Sequence, residues 1–303
     1  MPHKKNKWRR YIPLYMMMLP GTIYLIINNY IPMGGLVLAF KKFNYSLGMI
    51  KSPWNGLSNF KFLFIGADAW KMIRNTLGYN FVFIVLGTTL AIIVAILLNE
   101  VAGRKARKLY QTIILVPYLI STVIVSYIVY AFLSQDNGFI NHTLLRGENA
   151  ISWYTSPKYW PFILTFVQLW KSFGYSSIIY FATIIGIDPT YYEAASIDGA
   201  GKLKQVVSIT LPCLKPTIIT LTLLSIGRVF YSDFGLFYQI PMGAGTLLDV
   251  TQTIDTYVYR ALLVSNDVGR AAAAGFLQSL LGFILVYGAN LMVNKIDKEN
   301  ALF

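Results

Sequence analysis

The sequence predicts an all-α membrane protein that crosses the bilayer about six times. Of its 303 residues, 55% are hydrophobic and only 13% are charged, whereas soluble domains are typically about 25% charged. The apolar residues occur in runs of about 20 or more, which is enough to cross a hydrocarbon core about 30 Å thick. These two observations predict a polytopic helical bundle, and we expect the whole chain, 1–303, to form one transmembrane domain.

Six apolar segments account for most of the chain. The first follows a basic N-terminal flank and is too long for the hydrophobic region of a signal peptide, so we expect it to remain as a span. In chain order, the predicted spans cover residues 11–40, 75–98, 109–132, 160–186, 213–240 and 271–293. Because this number is even, both termini are expected on the same side of the membrane.

The distribution of basic residues predicts that this side is the cytoplasm. Lys and Arg are denser in the short connections on the side of the termini, such as 104–108 and 188–212, than in the longer connections opposite. Cytoplasmic loops carry such an excess, and it accounts for the formal net charge of +13. Nucleic acid is not an expected partner, because no basic stripe is interleaved with aromatic residues outside the apolar runs.

The sequence offers little for catalysis or for metal binding. One cysteine excludes an internal disulfide and a cysteine-based metal cluster, and the two histidines lie outside the predicted spans. An enzyme acting within the membrane would need a nucleophile with a base, or paired carboxylates, inside a span. We therefore expect no enzymatic activity, no metal and no cofactor on this chain.

One polar stretch, residues 188–212, interrupts the spans and predicts a short helix followed by a bend. Asp188 can cap the first free N–H groups, and Pro189 stands where its missing N–H costs nothing. Gly199 then allows the backbone to leave the helix. A second short helical run is expected at 202–211, before a proline that leads into the next span. The small side chains of the first helix would let the backbone of another protein approach closely.

A phosphate-binding loop is excluded in this stretch. Residues 199–202 read Gly-Ala-Gly-Lys, but Ser196 and Leu203 stand where a P-loop needs a glycine and a serine or threonine. The run also follows a predicted helix instead of a strand. A nucleotide that drives this protein would therefore bind to a separate chain.

The same stretch resembles the EAA loop of ABC importer permeases. The resemblance rests on Glu193-Ala194-Ala195, on Gly199 four residues later, and on Ile209-Thr210-Leu211-Pro212. The longer motif, which adds Tyr192 and Asp198-Gly199-Ala200-Gly201, is similar to the maltose-type, carbohydrate-uptake branch of that family. Residues 255–260 and 301–303 resemble oligosaccharide and polysaccharide permeases of the branch, and the likeness covers nearly the whole chain.

This resemblance implies a fold, a set of partners and a role for the loop. The fold would be that of a type I ABC importer permease in a bacterial inner membrane, and the loop would be the coupling helix that docks into a cytoplasmic ATPase. The residues that would carry this coupling are Glu193, Ala194, Ala195, Ser196, Asp198 and Gly199. The working unit would add a second, non-identical permease, two ATPases that hold ATP and magnesium, and an extracellular solute-binding protein.

Polar side chains on the two spans that flank the loop predict a substrate pathway. Related maltose-type permeases hold sugar at mid-membrane between these two spans. Helical spacing places one set on a single face of the fourth span and a second set on a single face of the fifth. The candidates are Gln168, Lys171, Ser172 and Tyr175 on the fourth span, and Arg228, Tyr231, Ser232 and Gly235 with the adjacent Asp233 on the fifth. The expected cargo is an oligo- or polysaccharide, and two cations facing the pathway would also suit an acidic glycan.

Structural roles for the same cations stay open. Arg228 could pair with Asp233 or with a carboxylate of a partner, and Lys171 could extend to the outer interface. An intramembrane cation is costly and is a functional candidate by default, so sequence alone does not decide between the two readings.

Other polar residues in or beside the spans are weaker candidates. Asn80, Tyr127 and Gln278 fit interhelical hydrogen bonding better than ligand binding. The alanine run 271–274 predicts close helix packing. Residues 255–260 would form either a contact with the binding protein or a short interfacial helix.

A function of a different class also stays open: a secondary transporter or channel that acts alone. Secondary carriers commonly show inverted repeats and broken, paired helices, and neither is evident in this sequence. An importer subunit should co-purify with an ATPase and a second permease, whereas a solitary carrier should not.

Overall fold

The computed structural model describes residues 7–65, 67–145 and 150–296. Its first helix, α1 (Lys7–Leu25), continues through a π-helical turn at Ile26–Tyr30 and a short helix at Ile31–Met33 into a 3-10 helix at Gly34–Phe40. The closing residues 301–303, which carried part of the predicted resemblance, lie outside the described residues.

The other main helices follow in chain order. They are α2 (Ala67–Glu100), α3 (Arg104–Leu119), α4 (Thr122–Leu133), α5 (Trp160–Ile185), α6 (Pro189–Ile197), α7 (Lys202–Ile226), α8 (Ile254–Leu263) and α9 (Val268–Ile296). Single helical turns occupy the connections, at Gly48–Lys51, Ser58–Phe60, Phe62–Ile65, Ile140–Leu144, Trp153–Thr155, Pro157–Tyr159, Gly235–Gln239, Gly245–Leu247 and Leu248–Thr251.

Among the described residues, four helices are long and apolar enough to cross a membrane. These are α1 with its continuation to Phe40, α2, α7 and α9, and the bent pair α3–α4 would make a fifth span. Helix α5 occupies the fourth predicted span, and its 26 residues extend about 39 Å. Its polar side chains keep it below the same measure of apolarity. All six predicted spans are therefore helical over most of their length, but not all are continuous or uniformly apolar.

The predicted span at 109–132 is not one continuous helix. The helix stops after Leu119, and a new one begins at Thr122 at 90° to the first. Ile120 and Ser121 between them have extended backbone dihedrals. Pro117 lies in the last turn of α3, where a proline removes one backbone hydrogen bond and favours a break.

The predicted boundaries around the fifth span are also wrong. Helix α7 ends at Ile226 instead of residue 240, and residues 231–233 have no regular structure. At its other end, the run 202–211 is not a separate helix, because it continues through Pro212 as part of α7. A π-helical turn at Val206–Thr210 ends two residues before this proline, and such a turn accommodates the hydrogen bond that the proline cannot make.

The chain falls into two compact units, residues 1–65 with 258–276, and residues 66–257 with 277–303. In the first unit, the Asn59 amide donates hydrogen bonds to the carbonyl oxygens of Ala39 (2.9 Å) and Lys41 (2.8 Å). The ring of Phe40 packs edge-on against Phe276 with the centroids 5.3 Å apart. These contacts fix the end of the first helical segment.

Helix α5 lies at the centre of the second unit, against α2, α3 and α7. Its Trp160 and Leu164 are fully buried in one apolar cluster, and its Tyr180 and Ile184 belong to another. Gly174 lies directly on the backbone of Ile114, so that a side chain there would overlap the Ile114 carbonyl oxygen. The contact between α3 and α5 therefore requires a residue without a Cβ atom at this position.

The Gly174→Ala variant tests this close approach. The added methyl group must push α3 and α5 apart, and we expect a loss of about 1–3 kcal/mol in the free energy of unfolding. The matched control is Gly78→Ala on α2, where nothing lies within 4 Å of the new carbon, and where alanine should add up to about 1 kcal/mol of helix stability. Thermal unfolding in detergent measures both, and equal melting temperatures for the two variants would contradict the packing described.

Candidate functional site

The chain breaks out of helical structure after α7, at residues 227–233, and amide side chains from two other helices hold this break in place. Asn80 on α2 donates from its side-chain amide to the carbonyl oxygens of Val229 (2.8 Å) and Tyr231 (3.0 Å). Gln278 on α9 donates to the carbonyl oxygen of Phe230 (2.8 Å). Backbone groups in an apolar environment need such internal partners, so these two amides make the irregular segment tolerable.

A carboxylate completes this hydrogen-bonded segment. Asp255 accepts hydrogen bonds from the backbone N–H (2.6 Å) and the hydroxyl (2.8 Å) of Ser232, and also from the Gln278 amide (3.1 Å). The neighbouring Asp233 accepts the N–H of Leu236 at 3.1 Å and so caps the next helical turn. Each carboxylate therefore has at least one oxygen committed to the backbone.

A cavity of about 580 Å³ opens between α2, α5, the end of α7 and the break. Its walls combine aromatic rings with hydroxyl, amide and charged groups. The lining residues are Asn80, Phe83, Ile84, Gly87, Thr88, Gln168, Ser172, Tyr175, Ser176, Ile179, Tyr180, Leu221, Leu224, Ser225, Arg228, Tyr231, Ser232 and Asp233. Aromatic faces that can stack on sugar rings and polar groups that can bind hydroxyls make this composition suitable for a saccharide.

The structure brings most of the predicted pathway residues together in this cavity. Those that line it are Gln168, Ser172 and Tyr175 on α5, and Arg228, Tyr231, Ser232 and Asp233 from the break. The predicted common helix face for the second group is wrong, since α7 ends at Ile226. These residues meet because the chain unwinds and turns toward the cavity, not because of helical spacing. Gly235 lies outside the lining and packs against Thr122 instead.

Lys171 does not line the cavity but binds the break between α3 and α4. Its ammonium group donates to the carbonyl oxygen of Ile120 (3.1 Å) and to the hydroxyl of Thr122 (2.8 Å). The carboxyl end of a helix carries partial negative charge and free carbonyl groups, so this position suits a cation. The contacts match the structural reading of Lys171 better than the pathway reading.

Arg228 is placed differently. It projects into the cavity from the start of the break, and its side chain is exposed. Among the residues that the structure describes, no carboxylate lies within 4.0 Å of its guanidinium group, so the ion pair with Asp233 that the sequence allowed is not formed.

Sequence reasoning missed the contribution of α2. Asn80, Phe83, Ile84, Gly87 and Thr88 line the cavity at spacings of three and four residues, which is one face of a helix. The hydrogen-bonding role expected of Asn80 and Gln278 is present in the structure, but each amide holds the break rather than simply joining two helices. Asp255 gave no sequence signal for its role, because its partner Ser232 lies far along the chain.

The first helix of the stretch 188–212, α6, begins and ends as the sequence predicts. Asp188 accepts the N–H of Thr190 at 2.9 Å at the start of α6. That hydrogen bond holds the pKa of the Asp188 carboxyl below its usual range, so the charged cap is present at neutral pH and is lost only as the pH falls through the lowered pKa. At the other end, Gly199 has φ of +75°, and Ala200 donates its N–H to the carbonyl oxygen of Ala195 at 2.8 Å, as in a Schellman motif.

Side-chain hydrogen bonds tie α6 to α7. The Tyr192 hydroxyl lies 2.9 Å from the Thr210 hydroxyl. The buried Gln205 amide donates to the Ser196 hydroxyl (2.9 Å) and to the carbonyl oxygen of Ala200 (3.1 Å). Helix α6 is therefore bound to the N-terminal end of a helix whose far end forms part of the cavity.

The predicted docking residues on α6 are accessible. Glu193, Ala194 and Ser196 are exposed and Ala195 is half-buried, while Asp198 is the last residue before the glycine turn. Beside them, an ion pair of 3.1 Å joins Lys202 to Glu100 at the end of α2. These residues thus present small side chains and two acidic side chains, Glu193 and Asp198, to their surroundings.

The remaining candidates do not join the cavity. Tyr127 on α4 is 64% exposed and lies outside the lining. The run 271–274 is closely packed, with Ala271, Ala273 and Ala274 buried, and residues 255–260 lie in α8. Within the described ranges, no three His, Cys, Asp or Glu side chains cluster as metal ligands would.

The sequence pattern that defines the binding-protein-dependent transport system inner membrane components matches residues 87–298. This is more than half of the chain. The protein belongs to this family. Members of this permease family are membrane components of transport systems, which agrees with the apolar helices and with a cavity between them.

Two relatives of this permease from Bacillus subtilis (strain 168) illustrate the likeness. Protein LplB is 34% identical over 98% of this chain and 91% of its own length. The polygalacturonan/rhamnogalacturonan transport system permease protein YteP is 36% identical over 94% of this chain and 89% of its own length. The chain is thus similar to these two proteins along nearly their entire length.

A solved structure extends the likeness to the fold. A bacterial ABC transporter involved in the import of the acidic polysaccharide alginate contains a chain that superposes with a TM-score of 0.86 at 33% identity, covering 95% of this permease and 97% of that chain. The same transporter in complex with alginate pentasaccharide-bound periplasmic protein gives a TM-score of 0.85. The expected ABC importer permease fold is thereby confirmed.

Replacing Asn80 tests whether the break depends on its amide. In Asn80→Ala, the carbonyl groups of Val229 and Tyr231 lose their donor, and we expect the free energy of unfolding to fall by about 1–3 kcal/mol. Thr89→Ala on the same helix is the control, because its hydroxyl only donates to Val85 of its own helix, and the change should stay within about 0.5 kcal/mol. Melting in detergent compares them. Similar melting temperatures for the two variants would show that Asn80 does not support the break.

Proposed function

We propose that this chain is one of two membrane-spanning subunits of an ATP-driven importer that carries oligo- or polysaccharides into the cytoplasm. The observation that carries the proposal is the cavity of about 580 Å³ with aromatic and polar walls, part of which is formed by the far end of α7, the helix to which the coupling segment is bound. The transport systems named for its relatives, with polygalacturonan, rhamnogalacturonan and alginate as cargo, support a saccharide substrate.

The proposed permease domain takes in the whole chain, with the spans as described and the coupling segment at 188–212. Glu193, Ala194 and Ala195 of α6 would contact a cytoplasmic ATPase, with Ser196, Asp198 and Gly199 shaping that surface. Both termini and this segment would lie on the cytoplasmic side of the bacterial inner membrane, with lipid around the spans. Two ATPases would bind ATP and magnesium, and a second, non-identical permease would complete the pathway.

The mechanism follows from the connection between α6 and α7. An extracellular binding protein would deliver the saccharide to the outer face, and ATP would close the ATPases. The hydrogen bonds of Tyr192 and Gln205 would carry the resulting movement of α6 into α7 and so to the break beside the cavity. ATP can shift the balance between inward-open and outward-open states only by binding to them unequally.

Affinity purification from native membranes tests the proposal. The tagged chain should bring down an ATPase and a second permease, and the recovered complex in proteoliposomes should take up saccharide only when ATP is supplied. An unrelated membrane protein with the same tag is the control for the purification. If the lone chain moves saccharide across vesicles that contain no ATPase, the protein is a solitary carrier and the proposal is wrong.

A pair of glycine variants tests the coupling role of the segment. Gly199→Ala places a Cβ atom on a residue with φ of +75°, a backbone conformation that costs about 1–2 kcal/mol for an L residue. We expect it to reduce both the recovery of the ATPase and saccharide-stimulated ATP hydrolysis several-fold. Gly103→Ala is the matched control, since Gly103 also has positive φ, +87°, in the connection between α2 and α3. Equal losses in both variants would assign the effect to general strain instead of to coupling.

A further inference from the structure

We infer that Arg228 is the residue that recognises the carboxylate of an acidic saccharide in the cavity. The inference rests on the proposed function and adds the chemical class of the cargo and the side chain that selects it. The sequence left two cations as candidates for this role. The structure separates them, because Lys171 is engaged with Ile120 and Thr122, whereas Arg228 lines the cavity.

The first argument concerns the carboxylates near the break. Asp255 is held by Ser232 and Gln278, and one oxygen of Asp233 accepts the Leu236 N–H. In the part of the chain that the structure describes, neither forms an ion pair with Arg228. Both neighbouring carboxylates thus accept hydrogen bonds from the backbone and do not pair with Arg228. The guanidinium group is therefore available to a ligand in the cavity.

The second argument concerns cost. An arginine in a membrane-spanning region is expensive and occurs where it faces a water-filled cavity or a partner. Among the described residues, Arg228 meets this condition through the cavity, because α7 ends at Ile226 and the chain then turns toward that space. An ion pair between Arg228 and a carboxylate of this chain would also lower the free-energy cost of a charge within the membrane. No such pair is present among the described residues.

The third argument concerns geometry. A guanidinium group offers a planar set of N–H donors that fits a carboxylate through two parallel hydrogen bonds. Around Arg228, Tyr175 and Tyr231 offer aromatic rings, and Gln168 and Ser172 offer amide and hydroxyl groups. A uronic acid residue carries one ring, several hydroxyls and one carboxylate, so each of its features has a counterpart here. Asp233, which also lines the cavity, can accept a hydrogen bond from a sugar hydroxyl. Its negative charge repels a ligand carboxylate that is not held by Arg228.

The experiment measures equilibrium binding to the detergent-purified complex of this chain with its partner permease and ATPases, without the binding protein. The probes are tetramers of galacturonate and of mannuronate, each compared with its carboxyl-reduced counterpart of equal length and linkage. The wild-type complex should bind at least one acidic tetramer about tenfold or more tightly than its reduced form. Arg228→Gln should weaken binding of that acidic tetramer about 10- to 100-fold, the range for a charged hydrogen-bonded contact, and should leave the reduced tetramer within about twofold.

Two further variants make the result specific. Arg228→Lys keeps the charge but loses the planar fork, and its affinity for the acidic tetramer should fall between wild type and Arg228→Gln. Lys158→Gln removes an exposed cation that lies over the ring of Tyr159, outside the cavity, and should change neither affinity. Equal recovery of the partner subunits with each variant shows that the complex has assembled.

Several outcomes would overturn the inference. The wild-type complex could bind none of the probes, or bind no acidic tetramer more tightly than its reduced form. Arg228→Gln could weaken binding of the acidic and the reduced tetramer equally. Arg228→Gln could also fail to assemble while Arg228→Lys binds both tetramers with wild-type affinity. ATP-dependent uptake of a neutral saccharide alongside any of these results would leave the proposed function standing. Loss of ATP-dependent uptake for every saccharide would instead remove the proposed function itself.

Discussion

Unwound backbone inside an apolar bundle must find hydrogen-bond partners, and most of the irregular structure in this protein follows from that requirement. Water is scarce there, and an unpaired peptide group costs free energy that packing alone does not recover. Three side chains from separate helices, Asn80, Gln278 and Asp255, meet at the break after α7 and serve its backbone. The cavity exists because this arrangement allows α7 to stop in the middle of a long apolar run.

The second break obeys the same rule with a charge instead of an amide. Lys171, on the uninterrupted α5, binds the last carbonyl group of the α3 segment and the first hydroxyl of α4. The two breaks also touch, since Gly235 leaves no room for a side chain beside Thr122. In both places a side chain on an uninterrupted helix, Asn80 on α2 or Lys171 on α5, donates hydrogen bonds to backbone carbonyl groups that a neighbouring helix leaves free where it ends.

Sequence patterns were sufficient where a local rule decides the structure. The cap at Asp188, the glycine turn at Gly199 and the helical character of all six spans depend on residues close together in the chain, and each was predicted. The ends of α3 and α7 were not, because the apolar runs continue through both breaks and only distant residues hold them open. Asp255 and Ser232 show the difficulty directly: the sequence does not indicate that they pair, and only the fold brings them to 2.6 Å. Helical spacing correctly grouped the candidates on α5, whereas those of the fifth span were found by an incorrect argument of helical spacing, because α7 ends before them.

The continuity of α7 has a mechanical consequence. Its 25 residues make a rod about 37 Å long, fastened near one end to α6 and leading at the other into the segment that bears Arg228. A tilt of about 5° imposed at the end next to α6 would displace the opposite tip by about 3 Å, which is the length of one hydrogen bond. A small rotation of α6 can therefore move the segment that bears Arg228 relative to the other walls of the cavity, without any large rearrangement of the bundle.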